Sequence, residues 1–229
     1  MDLSAAAVDV IALEVSNAAK SLIVATGATV QIVADQATST DTDDITAAAA
    51  TASTNVLNLT ISDNLSAVND VTLTDQILTD FATVNVSLTD NLVTAASLSV
   101  ETGTINLSGA GKATFVGSTT ATMVDGTSMT GILDIVLDGN VLKATGGSAA
   151  DVFDINANGN YALDGGAGTD KIEFIAGEDT TADTLTLSNI EVFEFATTAT
   201  IDSSTVSGAS YILTGISGGA SVVTINADA

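Results

Sequence analysis

From Val56 onward, apolar and polar residues alternate in blocks too short and too closely spaced for helices to cross between them. Leu57-Asn58-Leu59-Thr60-Ile61, Val71-Thr72-Leu73-Thr74 and Val84-Asn85-Val86-Ser87-Leu88 each place large aliphatic side chains on one side of an extended chain. Similar blocks follow at Leu98-Ser99-Val100, Ile105-Asn106-Leu107, Thr114-Phe115-Val116, 132–137, Ile172-Glu173-Phe174, Leu185-Thr186-Leu187, Val192-Phe193-Glu194-Phe195, Tyr211-Ile212-Leu213 and 222–225. The fold class this predicts is all-β: a right-handed parallel β-solenoid, a β-roll-like stack of short strands, with a β-sandwich as the alternative. The absence of proline and the Thr, Ser and Asn at outward positions favour the solenoid, whose stacked rungs let Asn and Thr form side-chain ladders.

Ser62-Asp63-Asn64-Leu65, Thr74-Asp75-Gln76-Ile77 and Thr89-Asp90-Asn91-Leu92 read as related turns that end these strands, because Asp and Asn side chains bond nearby backbone groups. Upstream, 22–33 reads as two strands around a turn at Gly27. The Ala-rich stretch from Asp2 to Ala19 admits either a strand or a short N-terminal helix. Asp41-Thr42-Asp43-Asp44 reads as a solvated acidic loop, with a cation site as the alternative. Glycine divides the chain: Gly27 stands alone in the first 100 residues, and the other eighteen follow. We therefore expect a glycine-poor β region over 1–101 and a glycine-rich solenoid region over 102–229, packed continuously.

The 229 residues carry 28 acidic and 4 basic side chains, a net charge of -24. Such a chain repels nucleic acid and anionic membranes. Its mean hydropathy is nevertheless positive, which argues for a folded chain. Aromatics make up 3%, so Val, Ile, Leu and Ala must build the core. There is no cysteine, hence no disulfide and no thiolate metal site. No apolar run is long enough to span a bilayer as a helix, and scattered aromatics do not form the girdles of a membrane barrel. No basic leader precedes an apolar run at Met1-Asp2-Leu3, so either the sequence is a piece cut from a longer chain or export uses a signal elsewhere.

Gly165-Gly166-Ala167-Gly168-Thr169-Asp170-Lys171-Ile172-Glu173 fits, at every position, the nine-residue pattern G-G-x-G-x-D-x-U-x of calcium-binding parallel β-helices. Residues 156–164 keep Gly159 and Leu163 but place Tyr161 where the Asp belongs. Residues 146–154 keep the double glycine, Asp151 and Phe153, with Ala149 for the third glycine. Consecutive units turn on opposite edges of such a roll. The units at 146–154 and 165–173 then stack on one edge, roughly 4.8 Å apart. Asp151 and Asp170 would flank one gap, and calcium takes six to eight oxygens.

These units resemble the RTX (repeats-in-toxin) family of calcium-binding secreted proteins. The segment 183–191 is similar to one that often follows such repeats, and the Thr/Ala/Val/Asp-rich composition resembles RTX-type bacterial surface-layer proteins. The resemblance implies export, calcium-dependent folding and a two-dimensional lattice on the outside of a bacterial cell. It implies Ca2+ held by the side chains of Asp151 and Asp170 and by carbonyls of Gly147, Ala149, Gly166 and Gly168, with Asp164 added to the metal set.

Enzyme chemistry has little to work with. Without His there is no imidazole base and no Ser-His-Asp triad, and no glycine-rich segment ends as a phosphate loop does. Paired carboxylates suit a polysaccharide-cleaving β-helix, but the chain has no Trp or Arg to hold a sugar. Glu191 and Glu194 read as outward strand residues or additional cation ligands. Asn58, Asn64, Asn85 and Asn106 begin N-x-S/T triplets of the kind a Ser/Thr-rich chain produces by chance. We expect a secreted, non-enzymatic structural protein that self-assembles with calcium into a surface lattice. Its partners would be itself and a cell-surface polysaccharide, not nucleic acid, and it would not insert into a membrane. The alternatives are a segment of a calcium-rigidified adhesin and a subunit of an extracellular filament that donates part of 1–55.

Overall fold

In a computed structural model the described residues are 2, 11–14, 21–34, 44–47, 54–63, 71–73, 76–89, 91–94, 97–100, 103–115, 118–119, 121–139, 141–180, 183–206, 210–215 and 223–226. Every strand pairing among them is parallel. That pattern is a β-solenoid, and it excludes the sandwich, whose sheets are antiparallel.

The first face has nine strands: β1 (Ile11–Glu14), β3 (Thr29–Ala34), β5 (Val56–Asp63), β8 (Thr83–Leu88), β11 (Thr104–Gly109), β14 (Met123–Met129), β16 (Lys143–Thr145), β18 (Tyr161–Asp164) and β20 (Leu185–Ser188). The second has eight: β6 (Val71–Leu73), β9 (Leu92–Thr94), β12 (Ala113–Phe115), β15 (Leu133–Leu137), β17 (Val152–Ile155), β19 (Lys171–Phe174), β21 (Val192–Phe195) and β23 (Ile212–Gly215). The third has five: β2 (Ser21–Val24), β4 (Asp44–Ala47), β7 (Gln76–Thr79), β10 (Ser97–Val100) and β13 (Ser118–Thr119). A separate pair joins β22 (Ala199–Asp202) to β24 (Val223–Asn226).

The cross-section changes along the axis. Among the described residues β1 to β5 alternate between the first and third faces, and from β5 to β13 each rung visits all three. From β14 to β21 the chain shuttles between the first and second faces only. Partners one rung apart are separated by 21 residues at Asn85 and Asn106 and by 18 at Leu133 and Asp151. Tight glycine turns replace the third strand, which is why glycine is concentrated downstream. The expected regions 1–101 and 102–229 share the nine-stranded sheet: β8 pairs with β11 across the boundary, Thr83 against Thr104.

The Asp- and Asn-containing quartets differ from their reading as turns. Asp63 is the last residue of β5, Gln76 and Ile77 open β7, and Leu92 opens β9. Asp44, read as part of a loop, opens β4. At a solenoid corner the chain bends without reversing, so the residues at the corner also start the next face. Residues 41–43, Asn64, Leu65, Thr74, Asp75, Asp90, Val116 and Val222 lie outside the described residues. In the N-terminal stretch Ile11–Glu14 is a strand paired with β3, not a helix; Asp2 bridges to Ile23, and its other residues are not described. Among the described residues the single helix is α1 (Ser203–Val206), begun by a bond from the Ser204 N–H to Asp202 Oδ1 at 2.7 Å. No helix there is long and apolar enough to cross a membrane.

Alternation sorts the side chains as expected. In β5 Leu57, Leu59 and Ile61 point inward, and Asn58 and Thr60 outward. All six phenylalanines are buried as well, which the 3% aromatic content understates. Where the section is two-sided, Phe174 stacks on Phe195 at 5.1 Å and meets Phe193 edge-on at 5.9 Å.

Outside, three rungs are joined by an amide ladder. The Asn106 Nδ2 donates to Asn85 Oδ1, Asn85 Nδ2 to Asn58 Oδ1, each at 2.9 Å, and Asn58 Nδ2 to the Gly27 carbonyl at 3.1 Å. These amides begin three of the N-x-S/T triplets, and each is engaged within the sheet. Replacing Asn85 with alanine orphans an amide on each side. We predict a loss of about 1–2 kcal/mol in urea unfolding.

Candidate metal-binding edge

Three turns stack where the chain passes from the first face to the second: 146–151 before β17, 165–170 before β19, and 189–191 before β21. Val152 pairs with Lys171, and Lys171 with Val192. That register sets Asp151, Asp170 and Glu191 one above the other.

Each acid accepts a backbone N–H from the rung before it. The Leu133 N–H donates to Asp151 Oδ1 at 2.7 Å, the Asp151 N–H to Asp170 Oδ1 at 2.7 Å, and the Asp170 N–H to Glu191 Oε2 at 2.8 Å. The partners lie 18, 19 and 21 residues apart, one rung each. Asp151 is 0% exposed and Asp170 1%. Both carboxylates therefore lie inside the solenoid, where carboxylates are rarely buried without partners.

The glycines make room for them. A Cβ on Gly146 would run into the Asp151 carboxylate and the Gly165 carbonyl. One on Gly165 would run into the Asn189 carbonyl and the Asp170 carboxylate. Gly166 has φ +86° and Gly168 φ +146°, so side chains there would be strained as well.

Burial pushes the Asp151 carboxyl up, against the bonds from Leu133 and Gly147. It pushes Asp170 up to about 6, opposed by the Asp151 N–H and reinforced by the charges of Asp151, Glu191 and Asp164. Asp170 Oδ2 is buried with no hydrogen-bond partner. Asp164 is different. The Asn189 amide at 2.8 Å and the Gly166 N–H at 3.1 Å both donate to its Oδ1, and the Asn189 bond leads in holding it below the usual carboxylate range.

The structure thus brings Asp151 and Asp170 together in register, with Gly147 and Ala149 in the turn before the first and Gly166 and Gly168 in the turn before the second. The Gly147 carbonyl accepts the Ala167 N–H at 2.9 Å, and the Ala149 carbonyl bears on the Gly168 α-carbon. Asp164 sits at the end of β18, outside the buried column. Glu191, read from the sequence as an outward strand residue or an additional cation ligand, is the column's third acid, and the 21-residue step from Asp170 takes it out of the nine-residue frame. Among the described residues no three His, Cys, Asp or Glu side chains are grouped to hold a metal by themselves. An ion at this edge would need two carboxylates, turn carbonyls and water. A buried orphan oxygen, with turn carbonyls brought close to the acids by the glycines, fits that demand.

The opposite edge is closed differently. Tyr161, in the Asp position of the nine-residue frame, donates its hydroxyl to the Ala157 carbonyl at 2.8 Å, and its ring leaves no space for a side chain on Gly159. Burial pushes this phenol up to about 12.

On the outside of the second face, Asp154, Glu173 and Glu194 stand in register. Lys171 Nζ binds Glu194 at 2.6 Å and Glu173 at 3.0 Å, and Asp154 Oδ1 is left buried without a partner.

No family model matches the chain, and neither a curated protein nor a solved structure does.

Burial first, then the charges of Glu173, Asp134 and Glu194 against that of Lys171, raise Asp154 from 3.8 to about 7. The folded state then holds a proton that the unfolded chain has released. Asp154 therefore favours folding at low pH and loses that contribution as pH rises through about 7. We predict that Asp154→Asn raises the unfolding midpoint at pH 8 by about 2–4 °C, the shift about 1 kcal/mol makes in a chain this size. In thermal melts the difference shrinks as pH falls below about 7 and closes only below the unfolded value of 3.8, and equal midpoints at pH 8 would contradict the assignment.

Proposed function

We propose that this chain is a secreted structural protein of the bacterial cell surface that folds around calcium and self-assembles into a lattice. The observation that carries the calcium part is the buried, unpartnered oxygen of Asp170 at a glycine-lined edge. Calcium prefers hard oxygen donors in flexible arrangements. The Asp151 and Asp170 carboxylates, with carbonyls of Gly147, Ala149, Gly166 and Gly168, would hold it. The ion would neutralise carboxylates packed inside the solenoid, so binding and folding are coupled. It would also relieve part of the self-repulsion of a chain with net charge -24.

The structural part rests on architecture. A sheet of nine parallel strands along one axis makes a stiff, elongated body. Its outward column of Thr29, Asn58, Asn85 and Asn106 is uncharged and hydrogen-bonding, a surface suited to neutral cell-surface polysaccharide. The runner-up is a filament subunit. Ile212 and Leu213 are 59% and 57% exposed, and no charged residue occurs between Asp202 and Asp228, so contact there would meet little repulsion.

Electron microscopy of the full chain in calcium chloride and in chelator tests the proposal. Ordered sheets in calcium that disperse in chelator are expected. Threads in calcium favour the filament, and dispersed monomers in both conditions would sink the assembly proposal.

A further inference from the structure

The carboxylate column has two gaps, and they are not equivalent. Between 146–151 and 165–170, both Asp151 oxygens are occupied: the Leu133 N–H donates to Oδ1 and the Gly147 N–H to Oδ2, each at 2.7 Å. Between 165–170 and 189–191, Asp170 Oδ1 accepts the Asp151 N–H, but Oδ2 accepts nothing. The donor that would repeat the first pattern is the Gly166 N–H. It is diverted to Asp164 Oδ1, which the Asn189 amide also binds. The orphan oxygen lies beside the Gly165 α-carbon, against which the Asn189 carbonyl also rests. Glu191 stands at the same level with its Oε2 on the Asp170 N–H.

We infer that this second gap is a site for a hard divalent cation of the calcium class, built from the Asp170 carboxylate, the Asn189 carbonyl and the Glu191 carboxylate. The inference rests on the calcium proposal above and moves the ion's place: Glu191, outside the nine-residue pattern, is a ligand, and Asp151 serves the backbone instead. Burying a carboxylate oxygen unpaired is costly, and a cation removes that cost. Two carboxylates balance a divalent charge, and water can supply the rest of the six to eight oxygens. Glu191 is only partly buried, which leaves a route from solvent.

The test is calorimetric titration of calcium chloride into the chelator-treated full chain. Glu191→Gln keeps an oxygen for the Asp170 N–H and removes the charge; Glu194→Gln is an outward control. We expect Glu191→Gln to weaken calcium binding by roughly tenfold or more and Glu194→Gln to leave it unchanged. Wild-type binding that survives Glu191→Gln overturns this site and leaves the calcium proposal standing. Equal weakening by both variants reduces the effect to overall charge and also overturns the site. No binding by the wild type overturns both. If Glu191→Gln loses its β-sheet circular dichroism, a wild-type crystal grown in strontium chloride decides. An anomalous peak beside Asp170 Oδ2 and Glu191 supports the site, and a peak elsewhere or none overturns it.

Discussion

The C-terminal half of this solenoid depends on carboxylates that face inward and accept backbone N–H groups from the neighbouring rung. At a corner the strand ladder breaks, and the amides of Leu133, Asp151 and Asp170 would otherwise be buried without acceptors. Asp151 and Asp170 reach the first two, and Glu191 reaches the third. The acid thus does the work of a strand at the point where the strand ends. The cost is buried negative charge, stacked one rung apart. Either protons or cations must offset it, and the raised affinity of Asp170 for a proton is one expression of that demand.

That constraint also accounts for the change in cross-section. A three-faced rung closes its corners with further strands, and the N-terminal rungs do so through β7, β10 and β13. A two-faced rung must turn within a few residues and has no third strand to supply acceptors. Glycines at 146 and 165 let the carboxylate occupy the space a side chain would fill. The opposite edge meets the same geometric problem with Tyr161, whose uncharged hydroxyl needs no counter-ion. One edge therefore stacks buried carboxylates between rungs, and the other uses the Tyr161 hydroxyl in one turn and the buried Glu178 carboxylate in the next.

Much of the inward–outward pattern was legible in Leu57 to Ile61 and Val84 to Leu88, because outward Asn, Thr and Ser contrast sharply with the aliphatic residues between them. The third face was hidden, since its strands begin at the Asp- and Gln-bearing corners that read locally as turns. β14 was hidden too: Asp125 and Gly126 interrupt its apolar pattern, and its register slips against Asn106 and Ser108. At the edge, the nine-residue pattern exposed Asp151 and Asp170 because their spacing is one rung. Glu191 escaped because the intervening segment lengthens that rung to 21 residues and breaks the frame. The charge column on Asp154 was not legible at all; it exists only through pairing between rungs.

Amide hydrogen exchange along the full chain, in calcium and in chelator, tests the central claim most directly. If a cation completes the inward carboxylate column, chelation will speed exchange in peptides spanning 146–151, 165–170 and 189–191, while the amide-ladder strands from Val56 to Gly109 keep their protection. Equal protection of the three turns in both conditions would contradict it.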